Sequence, residues 1–139
     1  MQQDASLTNN DLAAAVHASP PTCLRRVKRL TETGVITRRV AILAAEKIGP
    51  SLTAIVEITL DHQGAERLTE FEALVAGEAA VLQCYRVSPG PDFVLVVQVA
   101  DMPAYHAFAH RVFAAHANVR NVRTFFSVHR SKFETRVAV

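Results

Sequence analysis

Three arginines and a threonine, spaced along one short stretch, are the side chains of this sequence best suited to a chemical task. The stretch is Ser19-Pro-Pro-Thr-Cys-Leu-Arg-Arg-Val-Lys-Arg-Leu-Thr-Glu-Thr-Gly34. An advance of about 100° per residue puts Thr22, Arg25 and Arg29 on one side of a helix, flanked by Arg26 and Lys28. Cys23, Leu24, Val27 and Leu30 fall opposite. Guanidinium groups carry paired donors that fit phosphate oxygens and the acceptor edge of guanine, so the chemistry on offer is recognition of a nucleic acid. A merely solvated basic face is the simpler alternative.

Other residues with chemical potential lead to less. His106 and His110 lie four apart, as paired metal ligands can, but no Glu follows the first and no third ligand is in pattern. They read as a surface pair. The chain holds no Gly-rich phosphate loop, nucleophile elbow or H-E-x-x-H. No enzyme, cofactor or metal site is expected. Cys23 and Cys84 have no metal-type spacing and read as two buried, reduced thiols.

The basic stretch has helix boundaries written into it. Ser19 is an N-cap residue, and the proline after it favours the extended backbone a cap needs. Pro20 and Pro21 occupy the first turn, where a missing N–H costs little. Gly34 stands where a left-handed residue closes a helix. Upstream, Thr8-Asn-Asn-Asp11 is a capping-box pattern, with Leu7 and Leu12 at hydrophobic-staple spacing. Leu12, Ala13 and Val16 supply the apolar side of a short helix, and His17-Ala18 turns into the next cap. A short helix, a tight turn and a longer basic helix make a helix-turn-helix, whose second helix enters the major groove. That context favours DNA contact over a solvated face, although the turn contains no glycine.

Composition sets the outer bounds. The chain has 139 residues, half of them hydrophobic, and no tryptophan. No apolar run approaches the roughly 20 residues of a membrane helix, and the polar, acidic start is no signal peptide. A cytoplasmic protein with no membrane partner is expected. Charge is uneven: residues 1–39 hold six Arg and Lys against three Asp and Glu, whereas residues 40–139 hold nine against ten. The excess positive charge lies around the basic helix, as expected where phosphate contacts supply affinity.

Past Gly34, Val35 to Leu43 reads as an extended segment, and Gly49-Pro50 as a breaker. The expected organisation is residues 1–37 for DNA binding, 38–50 as a linking strand or hinge, and 51–139 as a second domain. In that domain the pattern is Leu52–Leu60 strand, Gly64–Ala76 helix, Ala80–Val87 strand, Phe93–Val99 strand, a helix from Pro103, and Val119–Val128 strand. Strand–helix–strand twice over is the ferredoxin-like βαββαβ arrangement, so the fold class is α+β. Ile55, Val94, Val96 and Phe125 make the second face of the sheet apolar too. Such a face needs a cover, and a second copy of the chain is the simplest one.

With these residues in view, the chain resembles the Lrp/AsnC (feast/famine) family of transcription regulators. The match rests on Ser19 to Leu30 with Gly34-Val35-Ile36, extended by Leu52 to Asp61, Val87-Ser88, Asp92-Phe93 and Val119 to Lys132. The resemblance implies an N-terminal, winged-helix-like helix-turn-helix and a C-terminal effector domain of the dimeric α/β-barrel type. It also implies dimers that assemble further, often to octamers, and an amino-acid effector held between effector domains. The chain departs from the family pattern in two places. A longer helix precedes Leu7–Val16 in the family, where this sequence has only Met1 to Ala5. The effector loop, usually Gly-x-x-Asp, reads Pro89-Gly90-Pro91-Asp92.

The resulting expectation is a sequence-specific regulator that binds DNA through Ser19, Pro21, Thr22, Arg25, Arg26, Lys28, Arg29 and Arg38. Lys28, Arg38 and Arg39 would contact phosphates, and the operator would be pseudo-palindromic. Ser88, Gly90, Asp92, Phe93, Thr124 and Phe126 are the effector candidates. Asp92 would meet an ammonium group, although an aspartate shaping the turn into Phe93 is an equal alternative. A rival from another class is an oligomeric amino-acid-sensing module with no independent DNA binding.

Overall fold

The computed structural model describes residues 1–138. In chain order the elements are α1 (Asn9–Ala15), α2 (Pro20–Glu32), α3 (Ala45–Ile48), β1 (Leu52–Leu60), α4 (Ala65–Ala76), β2 (Val81–Arg86), β3 (Phe93–Val99), α5 (Met102–Ala109) and β4 (Val119–Phe126). They fall into two compact units. One comprises Met1–Leu43 with the chain from Ser131 onward, the other Ala44–Arg130.

In the first unit α1 starts on the capping box. The Thr8 hydroxyl oxygen accepts from the Asp11 N–H at 3.2 Å, and the Asp11 carboxylate accepts from the Thr8 N–H at 3.3 Å. The helix ends without glycine. His17 takes the left-handed conformation, with φ of 52°, while its N–H reaches Ala14 and that of Ala18 reaches Ala13. This is the bond pair of a Schellman C-cap. Histidine tolerates that backbone better than branched residues do. His17→Val should therefore lower the unit's stability by about 1–2 kcal/mol, and His17→Gly should not. Thermal unfolding of the two variants side by side checks this.

α2 begins at Ser19, as read from the sequence, but the serine hydroxyl does not cap it. It donates to Thr22 Oγ1 at 3.0 Å. The reason is local: Pro21 occupies the second helical position and offers no N–H, which leaves only the Thr22 N–H within a cap's usual reach. At the far end Gly34 has φ of 75°, and the Ile36 N–H bonds to Leu30. The amide of Asn9 donates to the Pro20 carbonyl at 2.9 Å, tying the start of α1 to the start of α2. Ala13 and Cys23 are the buried apolar residues of this unit among the described residues, while Val16 and Leu24 stay exposed.

The extended segment expected over Val35 to Leu43 forms no strand among the described residues. A β-rich run becomes a strand only where a neighbour completes its backbone hydrogen bonds, and this chain supplies none there. Ala45–Ile48 is a single helical turn.

The second unit is one antiparallel sheet in the order β2-β3-β1-β4, the arrangement of the ferredoxin-like class. Alternation along β1 and β3 sends Ala54, Val56, Ile58, Leu60, Phe93, Leu95 and Val97 to one face, where they are buried under Phe71 and Val75 of α4 and Tyr105 and Phe108 of α5. α5 runs on into a π-helical turn, His110–Ala114. The wider turn lets the consecutive residues Val112 and Phe113 both reach the core, which simple helical spacing does not anticipate. On the opposite face, Ile55 stands level with Val96 and Phe125, and Glu57 with Val94 and Arg123. There Ile55 is 42% exposed and Phe125 43%. The apolar residues inferred from the sequence therefore do share this second face, but alongside Thr53, Glu57, Thr59, Gln83, Gln98, Asn121 and Arg123, so the face is mixed rather than apolar throughout.

One cysteine departs from expectation. Cys23 is buried, but Cys84 is exposed because β2 is an edge strand. Partial burial and then the Glu72 carboxylate push the Cys84 thiol up, outweighing Arg86, so it is a poor nucleophile at neutral pH.

Candidate nucleic-acid interface and effector loop

α2 positions its cations by anchoring the opposite side. Cys23 is buried and Val27 half-buried, so the helix cannot rotate without exposing them. The other side then carries Arg25, Arg26, Lys28 and Arg29, all exposed. Lys28 makes a loose pair with Glu32 at 3.7 Å, both ends largely in solvent, which contributes little. Arg25, Arg26 and Arg29 have no carboxylate partner among the described residues. Unpaired guanidinium groups on a fixed helix face keep their donors available for another molecule.

Ser19, Pro21 and Thr22 lie at the start of the same helix, with the Ser19 and Thr22 hydroxyls bonded to each other. Arg38 and Arg39 follow α2 and border a shallow depression with Thr31 and Ile36. The structure therefore groups Ser19 to Arg29 on one element and places Arg38 beside its far end.

The effector candidates do not converge within one chain. Asp92 closes the β1–β3 ladder: its N–H donates to the Ile58 carbonyl at 2.8 Å, and its Oδ2 accepts the Leu60 N–H at 2.7 Å and the Gln63 amide at 3.3 Å. Its turn-shaping role is thus visible in the hydrogen bonds. Ser88 and Gly90 form the loop before it, where Gly90 has φ of 117°, a backbone that L side chains rarely adopt. Phe93 is fully buried and its ring lies 4.9 Å from that of Phe71, so it offers no surface to a ligand.

Thr124 and Phe126 lie elsewhere. They pair with Val56 and Ala54 on β1, whereas the Asp92 loop meets β1 at Ile58 to Leu60. Along β1, Val56 lies two residue steps from Ile58 and Ala54 four, roughly 7 and 13 Å, and β1 lies between β3 and β4. The Thr124 hydroxyl is bonded to Tyr105 Oη at 2.5 Å, and the Phe126 ring packs edge-on against Tyr105 at 5.0 Å.

Two residues with positioning roles were not singled out from the sequence. Asn9 reaches across to Pro20, and its signal is an amide in the first turn of a helix that must meet its neighbour. Gln63 reaches Asp92 from the loop after β1, and nothing in its sequence context marks it. His106 and His110 are both exposed, and no group of three or more metal-ligating side chains occurs among the described residues.

Comparison with known proteins bears on both units. Residues 53–137 match the family described as Lrp/AsnC ligand binding domain, and residues 1–37 match the winged helix-turn-helix DNA-binding family. The chain is 34% identical to the DNA-binding transcriptional activator DecR of Escherichia coli K12, over 100% of this chain and 91% of that one. It superposes on the crystal structure of an AsnC family transcriptional regulator from Agrobacterium tumefaciens with a TM-score of 0.91 and 35% identity, covering 99% of this chain and 89% of that one. A transcriptional regulator from Neisseria meningitidis, solved in complex with L-methionine, superposes with a TM-score of 0.89 and 28% identity, covering 99% and 88%.

Proposed function

Because the chain belongs to the Lrp/AsnC family of DNA-binding transcription regulators, we propose that α2 is its reading helix and that an amino acid bound at the C-terminal unit modulates it. The observation that carries this is the fixed, unpaired set of Arg25, Arg26 and Arg29 on the second helix of a helix-turn-helix. In this reading Thr22, Arg25 and Arg29 reach base edges from the major groove, with Ser19, Pro21 and Arg26 beside them. Lys28, Arg38 and Arg39 contact phosphates and set position rather than sequence.

The protein acts as a homodimer closed through the apolar sheet face of Ile55, Val94, Val96 and Phe125, and the dimers assemble further, toward an octamer. A dimer presents two reading helices to a pseudo-palindromic operator. The effector is an amino acid, as in the Neisseria regulator solved with L-methionine. The separation of the Asp92 loop from Thr124 and Phe126 supports a pocket completed by a neighbouring subunit. Among the described residues no helix is long and apolar enough to cross a membrane, and the reading places the protein in the cytoplasm with no catalytic role.

DNase protection of the DNA upstream of its own gene tests this reading. Two protected half-sites about one helical turn, or a multiple of it, apart are expected, with a pattern that changes when L-methionine is added. Protection absent at every site would instead favour the sensing module without DNA binding, consistent with the thin core of the first unit.

A further inference from the structure

We propose that Glu57 and Arg123 are a charge lock that fixes the register of the sheet-to-sheet dimer and restricts it to copies of this chain. The proposal rests on the dimer reading above. Of the residues that the ladder registers place on the open sheet face, these two are the charged ones. They stand opposite each other on β1 and β4, with Arg123 Nη1 3.8 Å from Glu57 Oε2. The Arg123 guanidinium also lies over the Phe125 ring, 4.8 Å from its centre. The side chains are 66% exposed for Arg123 and 32% for Glu57 in the single chain. A pair this open and this long holds one chain together only weakly.

A covering copy changes what the pair does. Glu57 lies near the middle of β1, one of the two inner strands, so it lies near the centre of the face. In a two-fold interface the same patch meets itself, so residue i contacts j and j contacts i. An acid and a base side by side then match their copies only when each Glu57 meets the partner's Arg123. The other settings bring carboxylate against carboxylate and guanidinium against guanidinium on a face whose other residues are uncharged, with Ile55, Val94, Val96 and Phe125 around the pair and Thr53, Thr59, Gln83, Tyr85, Gln98 and Asn121 further out. There a charge without its counterion is costly. The apolar residues supply adhesion with little directional preference, and the two charges select one alignment. A related chain lacking the acid–base order at these positions would be rejected as a partner.

The test is subunit exchange by sedimentation velocity with one chain labelled. Glu57→Arg alone and Arg123→Glu alone should each weaken the homodimer about tenfold or more, and an equimolar mixture of the two should form a heterodimer of near wild-type strength. The doubly exchanged chain, E57R with R123E, keeps its internal pair and guards against misfolding. It should dimerise with itself and fail to exchange with the wild type. Free exchange between that chain and the wild type would overturn the proposal, as would single variants that dimerise normally or a mixture that does not recover. Ile55→Glu separates the two levels. If it leaves the dimer intact, the sheet-face reading itself falls and the lock with it. If it abolishes the dimer while the charge variants have no effect, only the lock falls.

Discussion

A chain carrying Arg25→Ala and Arg29→Ala is expected to lose about 1–3 kcal/mol of operator affinity per arginine and to lose preference at the base pairs they read. The cost is expected because both side chains are exposed, lack a carboxylate partner among the described residues, and sit on a helix held by Cys23. Truncating them removes donors without disturbing the fold, so circular dichroism and the unfolding midpoint should hardly change. Lys28→Ala is the contrast. Lys28 already shares a loose pair with Glu32 and acts as a point charge, so its loss should weaken all DNA sequences alike and shallow the salt dependence by about one. Binding measured on specific and random DNA separates the two. Equal losses on both for the arginine variant would remove the base-reading role and leave only electrostatics.

Phe93→Ala should lower the stability of the C-terminal unit by about 3–5 kcal/mol. Phe93 opens β3 with its ring fully buried against Phe71, at the same end of the sheet where Asp92 accepts the Leu60 N–H. Removing the ring leaves a cavity among β1, β3 and α4, and the rigid strands on either side can collapse into it only partly. Chemical denaturation should therefore show the loss in the transition of residues 44–130. The same substitution would also loosen the Ser88–Asp92 loop, so a fall in effector response cannot by itself place Phe93 in a binding site. If stability falls by less than about 1 kcal/mol, Phe93 is not the core anchor described here.

Most of the architecture was legible because the local signals agree with the packing. The Thr8-x-x-Asp11 box, the Ser19-Pro-Pro start and Gly34 mark helix ends through backbone chemistry that needs no tertiary partner. Leu52–Leu60 and Phe93–Val99 were legible because their inward positions are apolar throughout and β-branched residues dominate both runs. What escaped depends on things a sequence window does not hold. The Ser19 hydroxyl turns to Thr22 because of the two prolines next to it, a competition visible only once positions are assigned. The exposure of Cys84 follows from strand order, which places β2 at the edge. The π-helical turn after Ala109 follows from the demand to bury both Val112 and Phe113.

The site was legible unevenly for the same reason. The basic face of α2 is a property of one helix, so spacing alone gathers Thr22, Arg25 and Arg29. The effector candidates belong to a loop and a separate strand, and their separation along and across β1 is a matter of register. Asp92 shows the limit most clearly. As a lone carboxylate after Pro-Gly-Pro it fitted a ligand contact and a turn equally, and only the bonds to Ile58, Leu60 and Gln63 show the turn role in place.

Whether α2 works as a reading helix is decided by fluorescence anisotropy of the 139-residue chain on DNA from upstream of its own gene. Random DNA of equal length is the control, across a salt series. Tight binding to the upstream DNA, much weaker binding to the control, and affinity that falls steeply with salt, in proportion to the phosphates neutralised by Lys28, Arg38 and Arg39, are expected. Weak binding of equal strength to both DNAs would contradict that role for α2.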